Sequence, residues 1–271
     1  MTNNQVIQSL ENPRIKAVRK LYQKKYRNQS QSFLVEGEKI LLEVLQHQTL
    51  HPHYIVKELY TSESFTYSLI CSEMLEGIPH WSVTDKIFAN LSALQSPRGC
   101  IAVIEHKPFA LDDAILGNAS TNQVFLLDGI QDPGNVGTII RIADAVQAQA
   151  VVLGHGCADP FSDKVVRAAM GSLFHLPVLE LSLVDAIRRL RTSGYTTLAA
   201  DLEGTPYYSL EISDRIAIVL GSEGQGISEH VKQEIDRLVT IPMPGNAESL
   251  NVSVAAGILA FDLVRRREFH D

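Results

Sequence analysis

Three segments in the C-terminal half of this 271-residue chain constrain its fold more than any other feature. They are DPGNVGTIIR at 132–141, IVLGSEGQGIS at 218–228 and IPMPGNAESLNVSVAAGILAFDLV at 241–264. Each sets a Gly- or Pro-containing loop against a β run or a helical run, which is how backbone groups are presented to a ligand at strand ends. The loops share a polar set without metal-ligand spacing: Asn135, Arg141, Glu223, Ser249 and Asn251. We therefore expect them to form one site.

Strands and helices alternate through the same half of the chain. Apolar runs predict strands at 124–127, 150–153, 177–181, 196–200, 216–220 and 238–241, with helical periodicity between them. This order predicts an α/β fold with a largely parallel sheet. The first hundred residues show a smaller α/β pattern. We therefore expect a domain at 1–108, a polar linker at 109–121 and a second domain at 122–271.

The three segments resemble the motifs of the SpoU/TrmH family of SPOUT RNA methyltransferases. NVGTIIR at 135–141 matches the first motif, LGSEGQG at 220–226 the second, and IPMP at 241–244 with SLNVS at 249–253 the third. In the front half, Asn12-Pro13, FLVEG at 33–37 and SPRG at 96–99 resemble the substrate-binding domain of many ribosomal-RNA members. The resemblance implies the SPOUT α/β-knot, in which the C-terminal chain threads a trefoil knot that ordinary topology rules would exclude.

The family transfers a methyl group from S-adenosylmethionine to a ribose 2′-oxygen of RNA, so the resemblance implies a cofactor site in the second and third motifs. The implied cofactor-binding residues are Leu220, Gly221, Ser222, Gly226, Ile241, Met243, Ser249 and Leu250. Taken alone, these glycines could serve tight turns, and Ile241 and Leu250 could be core residues. Ser249 and Asn251 could likewise cap a helix.

Arg141 is expected to carry most of the chemistry, together with Asn135, Glu223 and Asn251. It lies six residues beyond Asn135 on the same predicted helix, so its cation should point into a cleft, where Glu223 would orient it. A guanidinium rarely loses its proton, so we expect it to stabilise the developing 2′-alkoxide rather than act as a general base. A purely structural Arg141–Glu223 pair is the alternative.

Residues 154–159, GHGCAD, resemble the start of a dinucleotide-binding loop, because they follow a β run and precede a helix. The third glycine is missing, and the segment follows the second strand of its domain rather than the first. We interpret it as a structural turn. Gly221, Gly224 and Gly226 also fail the fingerprint because their spacing is reversed. An enzyme that uses a nicotinamide cofactor is therefore a weak alternative to the methyltransferase. The absence of G-x-x-x-x-G-K-[ST] excludes a Walker-type NTPase.

The composition predicts a protein of the reducing cytoplasm. Residues 1–14 lack an apolar targeting core, and no apolar run is long enough to span a bilayer. Cys71, Cys100 and Cys157 are odd in number and far apart, so neither disulfides nor a zinc site is expected. No His/Cys/Asp cluster predicts another metal site.

Charge is strongly segregated along the chain. The net charge is −7, yet residues 14–27 hold seven cations and no acidic residue. Asn12 as N-cap and Pro13 at the first position predict a helical segment whose apolar face leaves the cations outward. The cations expected to contact RNA phosphates are Arg14, Lys20, Lys24, Lys25 and Arg27. A solvated helix face fits the sequence equally well, and the family resemblance favours RNA.

The sequence therefore predicts a cytoplasmic RNA ribose 2′-O-methyltransferase that uses S-adenosylmethionine and favours 23S ribosomal RNA. The front domain supports that substrate, since relatives that act on transfer RNA commonly have shorter, basic extensions. A transfer-RNA methyltransferase and a catalytically silent RNA-binding or assembly protein are the alternatives, and the intact polar set argues against the second. Family sites lie beside a subunit interface, and the small residues Ser253, Ala256, Gly257 and Ala260 predict close packing against a second copy in a homodimer.

Overall fold

The computed structural model describes residues 6–48, 52–112, 122–211 and 213–268. The chain divides into two compact units, residues 1–108 with 161–174 and residues 109–160 with 175–271. Within the described ranges, no helix has both the length and the apolar character required to cross a bilayer.

Ten strands and nine α-helices are defined in the described residues. The strands are β1 (Ser32–Glu36), β2 (Tyr54–Ser62), β3 (His80–Val83), β4 (Cys100–His106), β5 (Gln123–Asp128), β6 (Ala150–Leu153), β7 (Val178–Glu180), β8 (Thr196–Pro206), β9 (Ile216–Gly221) and β10 (Arg237–Thr240). The helices are α1 (Pro13–Lys20), α2 (Lys24–Ser30), α3 (Glu38–His47), α4 (Asp85–Leu91), α5 (Pro133–Ala145), α6 (Asp163–Ala169), α7 (Leu183–Thr192), α8 (Glu229–Lys232) and α9 (Val252–Glu268).

A four-stranded mixed sheet organises the first unit, in the order β1-β4-β2-β3. β4 pairs antiparallel with β1 and with β2, and β3 extends the sheet parallel to β2. The apolar faces of α1 and α4 pack with this sheet in one buried cluster that includes Ile15, Val18, Ile87, Phe88 and Leu91. This cluster explains why the apolar positions of the basic run repeat with helical spacing.

The basic run folds as two short helices rather than as one continuous helical segment. Asn12 caps α1 as predicted, because its Oδ1 accepts a hydrogen bond from the backbone N–H of Arg14 at 2.9 Å. Gln23 then adopts an extended backbone, with φ −103° and ψ 129°, which separates α1 from α2. Arg27 turns inward as a result: it is 5% exposed, and its Nη1 donates to the carbonyl oxygen of Leu21 at 2.8 Å. The expectation that Arg27 faces outward is wrong.

A six-stranded, fully parallel sheet forms the centre of the second unit, in the order β10-β8-β9-β5-β6-β7. Every residue of β5 and β6 is buried, as expected for parallel strands covered on both faces. The predicted parallel α/β sheet is confirmed, while the knotted path of the chain stays a prediction. Asp128 pairs with Gly221, so β5 and β9 end level with each other. The loops that follow them therefore meet at one edge, where parallel sheets place their ligands.

The small residues of α9 pack inside their own chain. Ala256 and Ala260 are fully buried, and Ser253 is nearly so. A Cβ built on Gly257 would lie 3.6 Å from Cδ1 of Ile142, so the glycine brings α9 close to α5. The expectation that this face meets a second copy is therefore wrong.

Two boundaries differ from the predicted ones. Phe109 and Leu111, at the start of the predicted linker, pack in the apolar core of the second unit, where Leu111 is 2% exposed. The remainder of that linker, 113–121, lies outside the described residues. Residues 161–174 group with the first unit rather than with the C-terminal domain, because the rings of Phe161 and Phe174 lie 4.9 and 6.3 Å from the ring of Phe33.

Candidate active site

The loop that follows β9 is a tight turn that only glycine permits at two positions. The backbone groups of Ser222 and Gly226 bond reciprocally at 3.0 and 2.9 Å, and the N–H of Gln225 donates to Oγ of Ser222 at 3.2 Å. A Cβ on Gly221 would lie 2.3 Å from the carbonyl carbon of Gly226, and Gly226 itself has a φ of +65°. Any side chain at either position would disrupt the turn, which holds Glu223 at its tip.

Two helices begin at the same edge of the sheet. Asp132 caps α5 by accepting a hydrogen bond from the N–H of Asn135 at 2.9 Å, and Pro133 lies in the first turn. Asn251 caps α9, since its Oδ1 accepts from the N–H of Ser253 at 3.0 Å and from its hydroxyl at 2.6 Å. The helix-capping role that the sequence left open for Asn251 is thus present.

Asn135, Glu223 and Asn251, one from each motif, form a closed hydrogen-bond network. Nδ2 of Asn135 donates to Oε1 of Glu223 at 2.9 Å, and Nδ2 of Asn251 donates to the same oxygen at 2.9 Å. The amide of Asn251 also donates to Oδ1 of Asn135 at 2.9 Å. Hydrogen bonds to an ionised carboxylate are among the stronger ones in proteins, so this network fixes the three motif loops against one another.

Arg141 stands apart from this network. Its side chain is exposed on α5, and within the described part of the chain no residue forms a hydrogen bond or an ion pair with it. The expectation that Glu223 orients Arg141 is therefore wrong, and so is the alternative of a structural pair. The carboxylate is held by Asn135 and Asn251 instead. The exposed guanidinium is available to an oxyanion ligand.

A cavity of about 520 Å³ lies beside the network. Its lining includes Glu223 together with every residue predicted to bind the cofactor: Leu220, Gly221, Ser222, Gly226, Ile241, Met243, Ser249 and Leu250. The volume lies within the range of about 300 to 1,000 Å³ that is usual for small-molecule sites. The structure thus gathers the second and third motifs around one space large enough for a nucleoside cofactor.

The motifs gave no indication of the charged side of this cavity, which is formed by Asp201, Glu203 and Lys232. Nζ of Lys232 donates to Oδ2 of Asp201 at 2.8 Å. This hydrogen bond lowers the pKa of Asp201 and raises the pKa of Lys232. The sequence predicts that β8 ends at Ala200, whereas the strand runs to Pro206 and carries both carboxylates along the cavity. Acidic residues at the carboxyl end of a parallel strand were the signal that could have found them.

One cation of α1 and one of α2 lie near the same aromatic ring. Nζ of Lys20 and Nζ of Lys25 lie 5.4 and 6.0 Å from the ring centroid of Tyr26. Lys24 is exposed on the first turn of α2. These three lysines all belong to the exposed basic run of the first unit, and the partly exposed ring of Tyr26 lies near two of them, Lys20 and Lys25.

Arg14 belongs to a different environment from these lysines. Its guanidinium lies over the ring of Trp81, 3.9 Å from the centroid, and Nη1 is 3.6 Å from Oε2 of Glu58. Both contacts compete with a phosphate for the cation, so Arg14 is a less favourable phosphate ligand than Lys20 or Lys25.

Two family models match this chain. The model described as the SpoU rRNA Methylase family covers residues 122–261, and the model described as the MRM3-like substrate binding domain covers residues 12–102. The first match spans all three motifs, and the second spans the front segments and the basic run.

Similar proteins extend over nearly the whole chain. The "23S rRNA (guanosine(2553)-2'-O)-methyltransferase RlmP" of Bacillus subtilis is 36% identical, over 95% of this chain and 98% of its own length. The AdoMet-bound rRNA methyltransferase of Sinorhizobium meliloti has a TM-score of 0.84 at 30% identity, with 98% of each chain covered. The SpoU methyltransferase AviRb of Streptomyces viridochromogenes, solved with AdoMet, has a TM-score of 0.83 at 26% identity, with 95% of this chain and 99% of its own covered.

Proposed function

The chain belongs to the SpoU rRNA methylase family, and we propose that it methylates a ribose 2′-hydroxyl of 23S ribosomal RNA with S-adenosylmethionine as the methyl donor. The Bacillus subtilis relative is named for this reaction on a guanosine of 23S rRNA. Both structural neighbours described above were solved with the cofactor, which supports the same donor here.

The geometry around Glu223 is the observation that supports this function best. Glu223 lines the 520 Å³ cavity and also accepts the amide hydrogen bonds of Asn135 and Asn251. A methyl donor in that cavity would lie directly against a fixed set of polar groups. Methyl transfer needs such preorganisation, because only an aligned donor and acceptor react at a useful rate.

The cavity lining fits the charge of S-adenosylmethionine. Three carboxylates, Asp201, Glu203 and Glu223, face one cation, Lys232. The cofactor carries a sulfonium and an ammonium against a single carboxylate, so an acidic lining attracts it. The diphosphate of NADH would be repelled by the same lining. Apolar side chains of the second and third motifs can cover the faces of the adenine.

Each polar residue of the motifs is assigned a role in this proposal. Bound S-adenosylmethionine supplies an electrophilic methyl group. We assign Asn135 and Asn251 to positioning the ribose, and Glu223 to holding both amides in place. The 2′-hydroxyl gives up its proton to solvent water, and we assign the exposed cation of Arg141 to the negative charge that develops on the 2′-oxygen, a form of electrostatic catalysis.

The first unit supplies RNA affinity in this proposal. Lys20, Lys24 and Lys25 form a basic surface on a chain whose net charge is −7, and polyanion binding depends on such local charge. The matching substrate-binding model over residues 12–102 supports this assignment. Ribosomal RNA also implies the cytoplasm as the place of action.

We further assign the second unit to a homodimer, now through the outer face of α9. Val254 and Phe261 are 49% and 51% exposed there, two turns apart on one side of the helix. Large apolar side chains in one stripe mark protein contacts more often than solvent-facing surface. A symmetric interface would bury the same stripe of both copies.

Calorimetry and methylation mapping test the function. S-adenosylhomocysteine should bind the purified chain, and NADH should give no heat. Total RNA from cells with and without the gene should differ in one 2′-O-methyl group within 23S rRNA. A difference that maps to transfer RNA would overturn the substrate, and NADH binding without S-adenosylhomocysteine binding would overturn the enzyme class.

A further inference from the structure

A second cavity, of about 820 Å³, opens at the carboxyl ends of β5, β6 and β9 in the second unit. The turn interpreted above as purely structural contributes to it, because His155 and Gly156 line the wall after β6. Gln131 and Asn135 line the side formed by the loop before α5 and by its first turn, and Gln225 lines the β9 side. None of these positions is explained by binding of the methyl donor.

The two cavities share one wall. Ser222, Glu223, Gly224 and Gly226 line both of them. The tight turn after β9 therefore separates the two spaces, and Glu223 at its tip is accessible from each side. A ligand in the second cavity would lie next to a ligand in the first, with the Asn135–Glu223–Asn251 network at their border.

The lining of the second cavity disfavours a phosphate as the main ligand. No lysine or arginine is present among the described residues that form it. Its carboxylates already have partners within the fold: Asp128 accepts from the N–H and hydroxyl of Ser228 at 2.7 and 2.6 Å, and Asp132 caps α5. Amide and imidazole groups remain to face a ligand. Such groups offer both donors and acceptors, which the edge of a base requires.

We propose that this second cavity receives the base and ribose of the target nucleotide, flipped out of the RNA, with His155 as a stacking partner for the base. This assignment rests on the proposed RNA 2′-O-methyltransferase function. Enzymes that act on a base withdraw it from its stack, and proteins that select a particular RNA nucleotide read its unstacked base with aromatic or histidine rings and hydrogen bonds to its edges. A ribose methyltransferase that selects one nucleotide can use the same kind of pocket. The ribose would lie beside Asn135 and Glu223, which places its 2′-oxygen at the border with the methyl donor.

The side chains at the far end of the cavity have the chemistry that a base requires. His155 is exposed on the turn after β6, so its ring is free to cover a base face. Gln131 and Gln225 are exposed in the loops after β5 and β9, and each amide offers both a donor and an acceptor to a base edge. Stacking on one ring is a substantial part of single-nucleotide affinity, so the contribution of His155 is measurable.

The test uses the full-length chain, tritiated S-adenosylmethionine and 23S rRNA transcribed in vitro. We expect His155→Ala and Gln131→Ala each to lower kcat/KM for the RNA about tenfold, while the affinity for S-adenosylhomocysteine changes less than twofold. His155→Phe should recover much of the activity because it restores a stacking face, whereas His155→Leu should not. Gln233→Ala, an exposed glutamine on neither cavity, is the matched control and should resemble the wild type.

Four outcomes distinguish a failure of the proposed nucleotide pocket from a failure of the proposed methyltransferase function. Wild-type rates in a folded His155→Ala, Gln131→Ala double variant would overturn the nucleotide pocket and leave the methyltransferase intact. Full activity of His155→Leu would overturn the stacking role. A loss of S-adenosylhomocysteine binding in the same variants would show that the cavity serves the cofactor. A wild-type chain that methylates no RNA would overturn the proposed function itself.

Discussion

Asn251 donates a hydrogen bond from Nδ2 to Oε1 of Glu223 at 2.9 Å, across 28 residues of sequence. Oδ1 of the same side chain accepts a hydrogen bond from the N–H of Ser253 and thereby caps α9. The oxygen must face the helix, so the nitrogen must face the carboxylate. The start of α9 and the position of Glu223 therefore depend on each other.

Asn251→Asp separates these two functions of the side chain. One carboxylate oxygen can still cap α9, but the other would face Glu223 and repel it. We expect the fold to persist and single-turnover methyl transfer to fall at least tenfold, measured with saturating cofactor. Asn251→Ala should instead lower stability by about 1 kcal/mol through loss of the cap.

Glu223→Gln in the Asn251→Asp background is the control for this explanation. The glutamine amide can donate to the new carboxylate, so the thermal midpoint of the double variant should exceed that of Asn251→Asp alone. Wild-type turnover in Asn251→Asp would show that the network has no part in the reaction.

Arg141→Ala should abolish methyl transfer without weakening S-adenosylhomocysteine binding, because Arg141 does not line the cofactor cavity and would act on charge that forms during the reaction. Arg141→Lys should recover little, since a point charge cannot replace a planar fork. Thermal stability should not change, as the side chain is exposed and unpaired among the described residues. Retained turnover in the alanine variant would remove Arg141 from the mechanism.

The parallel sheet of the second unit could be predicted because its strands are short, continuous apolar runs. β6 was predicted with both ends correct, at 150–153. β8 was not, because its last six residues, from Asp201 to Pro206, are mostly polar and resemble a loop. The end of this stretch, Thr205 and Pro206, pairs with Val239 and Thr240 of β10 after a shift in register, and such a long-range partner leaves no mark on the local sequence.

Within the candidate site, only the residues that belong to the three motifs could be predicted from the sequence. The motif residues line one cavity and form the Asn135–Glu223–Asn251 network, but their side-chain orientation depends on neighbours that are distant in sequence. Two arginines were therefore predicted with the wrong orientation. Arg141 faces solvent instead of Glu223, and Arg27 donates a hydrogen bond to a carbonyl oxygen in the interior. His155 was set aside because its glycines fail a nucleotide fingerprint, although the turn itself lines a cavity.

Phe261→Glu should dissociate the proposed homodimer, because a carboxylate on the outer face of α9 cannot be buried without a partner. Light scattering at micromolar concentration should show a dimer for the wild type and a monomer for the variant. Val254→Glu should act in the same way. Leu69→Glu, which alters an exposed leucine of the first unit, is the matched control and should remain dimeric. An active wild-type monomer would contradict the assembly.

The last prediction concerns the basic surface of α1 and α2. Replacing Lys20, Lys24 and Lys25 with glutamine should weaken binding to 23S rRNA and to unrelated RNA alike, because phosphate contacts carry no sequence information. The slope of log affinity against log salt concentration should flatten by at most about 0.7 to 0.9 for each RNA phosphate that a lysine no longer neutralises.

Arg27→Ala is the control within the same segment. Its side chain is buried on the carbonyl oxygen of Leu21, so this variant should lower thermal stability and leave the salt slope of the folded protein unchanged. Filter binding from 50 to 200 mM salt distinguishes the two. An unchanged slope in the lysine variant would place the RNA surface elsewhere, on the exposed side of α5 around Arg141.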